Sequence, residues 1–221
     1  MAPTMAPLAS KNGSELVGIE PDFARGLAQS LGRKLVFVEL PWGELLPALQ
    51  RGRVDIVMSG LSITPERQAL VDFTPPYLET GLVALLRRDQ EDALGYFFNP
   101  KVKIGVMAGT TGEFYVQQQH PRNPITRFRE PEAAAVAIQK GKIEIFFIDA
   151  LVAWRLAGQF EAAGLTATTS LLTTESLAWA VRKGDSALLE AATAYHQHIR
   201  EDGEKTLLMR RWMGTNYRPA P

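Results

Sequence analysis

Cysteine is absent from this 221-residue chain, and its absence excludes several kinds of chemistry. No disulfide, thiolate metal site or thiol nucleophile can form, although the cellular compartment stays open. An excess of one charge is also lacking, because 24 basic and 24 acidic residues give a formal net charge of zero. Interspersed charges of both signs offer no electrostatic surface for nucleic acid or an anionic membrane. We therefore expect no nucleic-acid partner.

Long apolar runs and cofactor motifs are missing as well. No stretch approaches the roughly 20 apolar residues that span a bilayer, and the first residues do not read as a signal peptide. We therefore expect a soluble, mature protein whose signal peptide is not present in this chain. His120, His196 and His198 are scattered, and no phosphate-binding loop, nucleophile elbow or dinucleotide fingerprint occurs. The sequence predicts no cofactor and no metal ion.

A nine-residue pattern that occurs twice is the first positive feature. Residues 48–56 and 137–145 match at every position by identity or by a like-for-like exchange. Each copy ends a helix, turns on a glycine, Gly52 or Gly141, and leads into a β-branched strand. The pattern predicts one αβ unit in each of two lobes. A helix, glycine and strand in succession are also common without functional meaning, and the repeat alone does not decide between these readings.

Alternating helices and strands predict an α/β protein with mostly parallel strands. Ser59 and Gly60 follow the first repeated strand and Asp149 follows the second, at carboxyl ends where open α/β sheets bind ligands. Two further strands, near 80–87 and 175–182, are expected to cross between the lobes. The predicted elements are helices at 21–31, 43–51, 131–140, 186–200 and 203–213, and strands at 34–39, 54–58, 81–87, 102–107, 143–148 and 177–181.

Several stretches carry a resemblance to a known family. They are Gly18-Ile19-Glu20-Pro21-Asp22-Phe23-Ala24, Trp42 with 45–49, Ser59-Gly60-Leu61-Ser62-Ile63-Thr64-Pro65-Glu66-Arg67, Asp72-Phe73-Thr74-Pro75-Pro76-Tyr77, residues 105–111, Asp149, residues 178–183 and residues 210–212. Together they strongly resemble family 3 of the bacterial extracellular solute-binding proteins, the polar-amino-acid receptors of ABC importers. The resemblance covers nearly the whole chain.

The resemblance implies an α/β fold of two Rossmann-like lobes joined by a two-strand hinge, the type II periplasmic binding protein, with the ligand cleft between the lobes. Lobe 1 is expected at 1–80 and 178–221, and lobe 2 at 81–177. The implied function is a monomeric periplasmic, or extracellular and lipid-tethered, receptor. Such a receptor closes on an amino acid and delivers it to the membrane permease of an ABC importer.

Arg67 is the first candidate for binding that ligand. It lies in the first turn of a helix capped by Thr64, where its guanidinium can present a bidentate fork to a carboxylate. Backbone N–H groups at Gly60, Ser62 and the helix start are expected to add donors. The resemblance implies that Arg67 and Ser62 bind the ligand carboxylate from one lobe and Thr111 from the other. The alternative is a surface helix residue paired with a neighbouring acid.

Asp149 is the candidate for the ligand ammonium group. Following an apolar strand, a lone aspartate is ordinarily the N-cap of the next helix. The resemblance instead implies an ammonium contact, completed by Ser59 and the carbonyl of Gly60, with capping compatible with it. The resemblance also implies that the Trp42 ring stacks on the ligand. The alternative is that Trp42 only packs in the core.

The N-terminal stretch departs from the family. Met5 stands where the family has an aromatic residue, and Leu8 where it has phenylalanine. The first strand of the family is expected to be shortened here, which would expose a neighbouring strand edge. Because Met5, Leu8 and Trp42 offer apolar contact and no unassigned acid is available, we expect a ligand with an uncharged or apolar side chain.

The alternative is that the protein is an enzyme, because the same fold can carry binding or catalysis depending on the residues in its cleft. A cyclohexadienyl-dehydratase-like protein would need a general acid, and Glu175 beside apolar Leu177 and Trp179 could serve. A glutamate at a strand start is more often a hinge or surface residue. A ligand-sensing domain of a larger protein is a further alternative. We expect a binding protein without catalysis.

Overall fold

The computed structural model describes residues 1–90 and 99–215. By its internal contacts the chain divides into two compact units, unit 1 (Met1–Glu79 with Ser176–Pro221) and unit 2 (Thr80–Glu175). Residues 91–98 and 216–221, which belong to the lobes expected from the sequence, lie outside the described residues. Within the described ranges, no helix combines the length and the apolar character needed to cross a bilayer.

The elements follow one another as short strands and helices. In chain order they are β1 (Ser10–Asn12), β2 (Glu15–Val17), α1 (Ile19–Ser30), a 3-10 turn (Trp42–Glu44), α2 (Leu45–Gln50), β3 (Ile56–Ser62), α3 (Pro65–Gln68), β4 (Val71–Phe73), β5 (Leu78–Thr80), β6 (Leu82–Arg87), β7 (Ile104–Met107), α4 (Thr111–Gln119), β8 (Ile125–Phe128), α5 (Pro131–Gln139), β9 (Ile145–Asp149), α6 (Ala150–Gln159), β10 (Leu165–Ala167), β11 (Glu175–Arg182), α7 (Ser186–Glu201) and α8 (Glu204–Met213). The predicted helices are confirmed with small shifts at their ends.

Unit 1 is built on a sheet with the order β3-β11-β4, in which β5 also pairs with β11. Strand β11 runs antiparallel to both β3 and β4. Beside the sheet lies an aromatic cluster in which the ring of Trp179 is 5.4 Å from that of Phe23 and 6.1 Å from that of Tyr77. These rings are fully buried, so they fix the position of α1 against β11.

Unit 2 is built on a five-stranded sheet with the order β10-β6-β9-β7-β8. Strand β7 is parallel to β8 and β9, whereas β6 is antiparallel to β9 and to β10. The expectation of mostly parallel strands is therefore wrong. Among the described residues of this unit, the parallel neighbours are the strands that α4 and α5 connect, because a parallel pair needs a crossover connection. Strand β6 runs against both of its neighbours, as β11 does against β3 and β4.

The repeated pattern forms the same structure in both units, as predicted. Gly52 has φ 69° and Gly141 has φ 66°, the left-handed conformation that ends α2 and α5. The next backbone N–H closes the same six-residue ring in each copy. Arg53 N donates to Ala48 O at 2.9 Å and Lys142 N to Ala137 O at 2.8 Å. This pair of helix ends leads into β3 and β9.

The strand predicted at 34–39 does not form, because residues 33–40 belong to no sheet within the described chain. The Met1 ammonium donates to Val38 O at 2.7 Å and Leu40 N donates to Met1 O at 3.0 Å. A cavity of about 840 Å³ lies between this segment, α1 and the start of β3, and Val36 is 69% exposed. β propensity alone makes no ladder without a partner strand.

Candidate functional site

Ser59 and Gly60 lie within β3, not after it as the sequence suggested. Leu61 pairs with Ala178 and Val57 with Ala180, so residues 58–60 lie opposite the single residue Trp179. Extra residues on one strand form a β-bulge, which takes backbone groups out of the ladder and turns them toward other partners. We call residues 58–60 the bulge.

Gly60 is held by a carboxylate that the sequence analysis did not assign to the site. Its N–H donates to Glu20 Oε1 at 2.6 Å, and the Tyr77 hydroxyl donates to the same oxygen at 2.7 Å. The expectation of a free N–H at Gly60 is therefore wrong. Gly60 has φ 67°, and a Cβ there would lie 2.5 Å from Leu8 Cδ1. The positive φ favours glycine at this position, and a Cβ there would also require the end of the Leu8 side chain to shift.

Ser59, Met5 and Leu8 are all buried inside unit 1. The hydroxyl oxygen of Ser59 accepts a hydrogen bond from Ala2 N at 2.9 Å. Leu8 packs against Gly60, as the 2.5 Å approach to a Cβ at that position shows. Leu8 thus gives the bulge an apolar contact inside unit 1, and direct contact of Ser59, Met5 or Leu8 with a ligand stays a prediction.

Arg67 is 7% exposed, which does not fit the alternative of a surface helix residue. Thr64 caps α3 as predicted, because its Oγ1 accepts from Arg67 N at 3.3 Å. The guanidinium donates from Nη1 to Ser62 O at 2.8 Å and lies 5.9 Å from the centre of the Trp42 ring. Backbone anchoring and the indole face thus orient the fork before any ligand arrives.

Unit 2 holds its own group of polar residues around Asp149, the last residue of β9. Its Oδ1 accepts from Leu151 N at 2.9 Å, so Asp149 caps α6. Its Oδ2 accepts from the Thr80 hydroxyl at 3.3 Å. Burial raises the pKa of Asp149 to about 7, the N–H groups and Thr80 oppose this shift, and the nearby Glu175 carboxylate adds to it. A cationic group beside Asp149 would favour its ionised form.

Thr111 begins α4, and its hydroxyl donates to Glu175 Oε2 at 2.9 Å. Thr173 donates to the other oxygen, Oε1, also at 2.9 Å. Unit 2 therefore brings the predicted residues Thr111, Asp149 and Glu175 into one neighbourhood. Thr80 and Thr173 were missed, because a lone threonine has no recognisable sequence signal.

Glu20 was also missed as a site residue, although the sequence carries a signal for it. It lies four residues before Ala24 and seven before Leu27, which places a carboxylate on the buried face of α1. A charge at such a position is unusual unless it has partners. Among the described residues, no group of three His, Asp or Glu side chains could hold a metal ion.

Comparison of the sequence and fold with known proteins identifies the class of protein to which this chain belongs. A probable histidine-binding protein of Neisseria gonorrhoeae is 32% identical over 202 residues, covering 89% of this chain and 74% of its own. The ABC transporter arginine-binding protein 1 of Escherichia coli K12 is 30% identical over 203 residues, covering 90% of this chain and 82% of its own.

A solved ancestral amino acid-binding protein, described as a precursor of cyclohexadienyl dehydratase, aligns with a TM-score of 0.86 at 32% identity over 96% of this chain and 92% of its own. The fold is that of the type II periplasmic amino-acid-binding proteins. Residues 1–215 match the profile of the bacterial extracellular solute-binding proteins, family 3. The chain belongs to this family.

Proposed function

We propose that this protein is a receptor for one free amino acid, with the carboxylate bound by Arg67 and the ammonium group by Asp149. The observation that carries the proposal is the orientation of Arg67, a nearly buried guanidinium fixed by Ser62 O and the Trp42 ring. A desolvated guanidinium suits a carboxylate in bidentate geometry. Thr111 would add a hydroxyl to the carboxylate, and Ser59 and Gly60 would complete the ammonium site from the bulge.

Delivery of the amino acid to a membrane permease is part of this proposal, and membership of family 3 supports it. A ligand that touches both units stabilises the closed state alone, and a permease that recognises the closed state then senses occupancy. We place the receptor in the periplasm, or outside the cell on a lipid tether, as a monomer. Its relatives include an ABC transporter arginine-binding protein, which supports an importer as the partner.

The ligand side chain is proposed to be uncharged or apolar. Trp42 stands beside Arg67 in unit 1, and the apolar Met5 and Leu8 are buried in the same unit, with Leu8 against Gly60. A cationic amino acid is the second candidate, because Glu175 adds a carboxylate close to Asp149 in unit 2. Relatives named for histidine and arginine also favour it.

A thermal-shift panel of the common L-amino acids separates these candidates. We expect an uncharged amino acid to raise the melting temperature most, because ligand bound to the folded state alone adds stability that grows with affinity. D-enantiomers of the best binders are the matched control, since the same side chain then projects in another direction. The largest shift from arginine, lysine or histidine would replace the first candidate with the second.

We propose that the protein has no catalytic activity, although Glu175 is the candidate for a general acid. Its two oxygens accept from the hydroxyls of Thr111 and Thr173, so its side chain is already hydrogen-bonded on both oxygens within unit 2. We expect no turnover of prephenate or arogenate, and less than about a tenfold change in amino-acid affinity for Glu175→Gln. Phenylpyruvate or phenylalanine formed by the wild type, and lost in Glu175→Gln, would establish the enzyme instead.

A further inference from the structure

Glu20 is the one fully buried glutamate of the described residues, and it is not among the residues proposed to contact the ligand. It is the second residue of α1, and its Oε1 accepts from both Gly60 N and the Tyr77 hydroxyl. Its other oxygen, Oε2, has no hydrogen-bond partner within geometric limits, and neither has Nε1 of Trp179. The Trp179 N–H is nevertheless near enough to favour the ionised carboxylate.

These surroundings distinguish the two protonation states of Glu20. The carboxylate accepts hydrogen bonds from the N–H of Gly60 and the hydroxyl of Tyr77, and the indole N–H of Trp179 also favours its ionised form. An ionised carboxylate only accepts, so it fits this set, whereas a protonated one carries an O–H that needs an acceptor. Protonation of Glu20 would therefore weaken its hydrogen bond with Gly60 N.

The hydrogen bond from Gly60 N to Glu20 determines the direction of the Ser59 carbonyl. The peptide between Ser59 and Gly60 is planar and trans, so the Ser59 carbonyl points opposite to the Gly60 N–H. Because Glu20 draws that N–H toward the interior of unit 1, the carbonyl is directed away from the carboxylate. Glu20 thus orients the bulge, which carries two of the groups proposed to bind the ammonium group.

We propose that Glu20 is a positioning residue that couples amino-acid affinity to protonation, holding the bulge in its binding geometry when ionised and releasing it when protonated. This inference rests on the proposed function, because the bulge must contact the ligand.

The ionisation falls in an accessible pH range. Burial raises the pKa of Glu20 to about 7, against the opposing effects of Gly60, Tyr77, Trp179 and the Met1 ammonium. An acid with a raised pKa is protonated below that value, so affinity should be highest above about pH 8 and fall as the pH drops through 7.

Tyr195 and His196, which pack around this cluster, do not change charge in that range, and the Met1 ammonium near Glu20 is present in both the wild type and the variant compared below. Tyr195 stacks on Trp179, and burial raises its pKa to about 12. His196 lies edge-on to the same indole, and burial lowers its pKa to about 4. The Met1 ammonium, whose pKa burial lowers, donates to Val38 O.

The experiment measures the dissociation constants of wild type and Glu20→Gln from about pH 5.5 to about pH 8.5, with the amino acid that gives the largest thermal shift as the probe. Asp149 titrates in both proteins, so its contribution cancels in the ratio of the two constants. We expect Glu20→Gln to bind about tenfold more weakly at the alkaline end and about equally at the acid end, because neutral glutamine mimics the protonated acid. Glu190→Gln, an exposed glutamate of α7, is the matched control and should leave the profile unchanged.

A purely structural role for Glu20 would give a ratio that does not change with pH, and that result would overturn the inference. If Glu20→Gln does not fold, carboxyl NMR of wild type decides, since ligand must lower the pKa of Glu20 if only the ionised form binds well. An unchanged titration at saturating amino acid would also overturn it. Failure of the wild type to bind any amino acid would instead overturn the proposed function.

Discussion

Arg67→Met is expected to lower amino-acid affinity by at least about a hundredfold while the protein stays folded. Loss of one partner from a desolvated, charge-assisted pair costs about 3 kcal/mol, and each tenfold in affinity is about 1.4 kcal/mol. Methionine is apolar and can cover the Trp42 ring, which the guanidinium now faces at 5.9 Å. Titration calorimetry measures the loss, and circular dichroism confirms that the variant is folded.

Two further variants make the result specific to the site. Arg67→Lys keeps the charge but not the planar fork, so we expect an intermediate loss. Arg51→Met removes an exposed arginine of unit 1 just after α2, and should leave affinity unchanged. Near-normal affinity in folded Arg67→Met would show that the carboxylate site lies elsewhere.

Asp149→Asn is expected to have a similar effect, at least about a hundredfold, on any ligand with a free ammonium group. Asparagine can still accept from Leu151 N and cap α6, so the helix should survive. What is lost is the negative charge that attracts the ammonium group. Calorimetry of the variant with the same amino acid measures the effect.

The matched control for this variant is Asp185→Asn. Asp185 caps α7 by accepting from Leu188 N at 3.2 Å, so the exchange tests capping without touching the proposed site. We expect it to leave affinity unchanged. Equal, small effects of Asp149→Asn and Asp185→Asn would mean that Asp149 only caps its helix.

The features that local sequence fixes were predictable. The turns at Gly52 and Gly141 depend on helix ends and left-handed glycine, and both formed as the repeat implied. The cap of Thr64 on α3 likewise needs only neighbouring residues. Those predictions hold because no distant partner is required.

Features that depend on distant partners were not predictable. The segment 34–39 has the composition of a strand, yet no ladder includes it in the described chain. The parallel pattern was wrong because β11, from far along the chain, lies between β3 and β4 and runs against both. The position of Glu20 on the buried face of α1 is a local signal that it needs a partner, but local sequence does not identify that partner as Gly60, 40 residues away.

Titration calorimetry of the ligand-free wild type tests the central claim most directly. The protein is unfolded, washed free of bound solutes, refolded, and titrated with the amino acid that gives the largest thermal shift. We predict saturable binding of one amino acid per chain, and its loss in Arg67→Met. A folded protein that shows no saturable heat with any common L-amino acid would contradict the account.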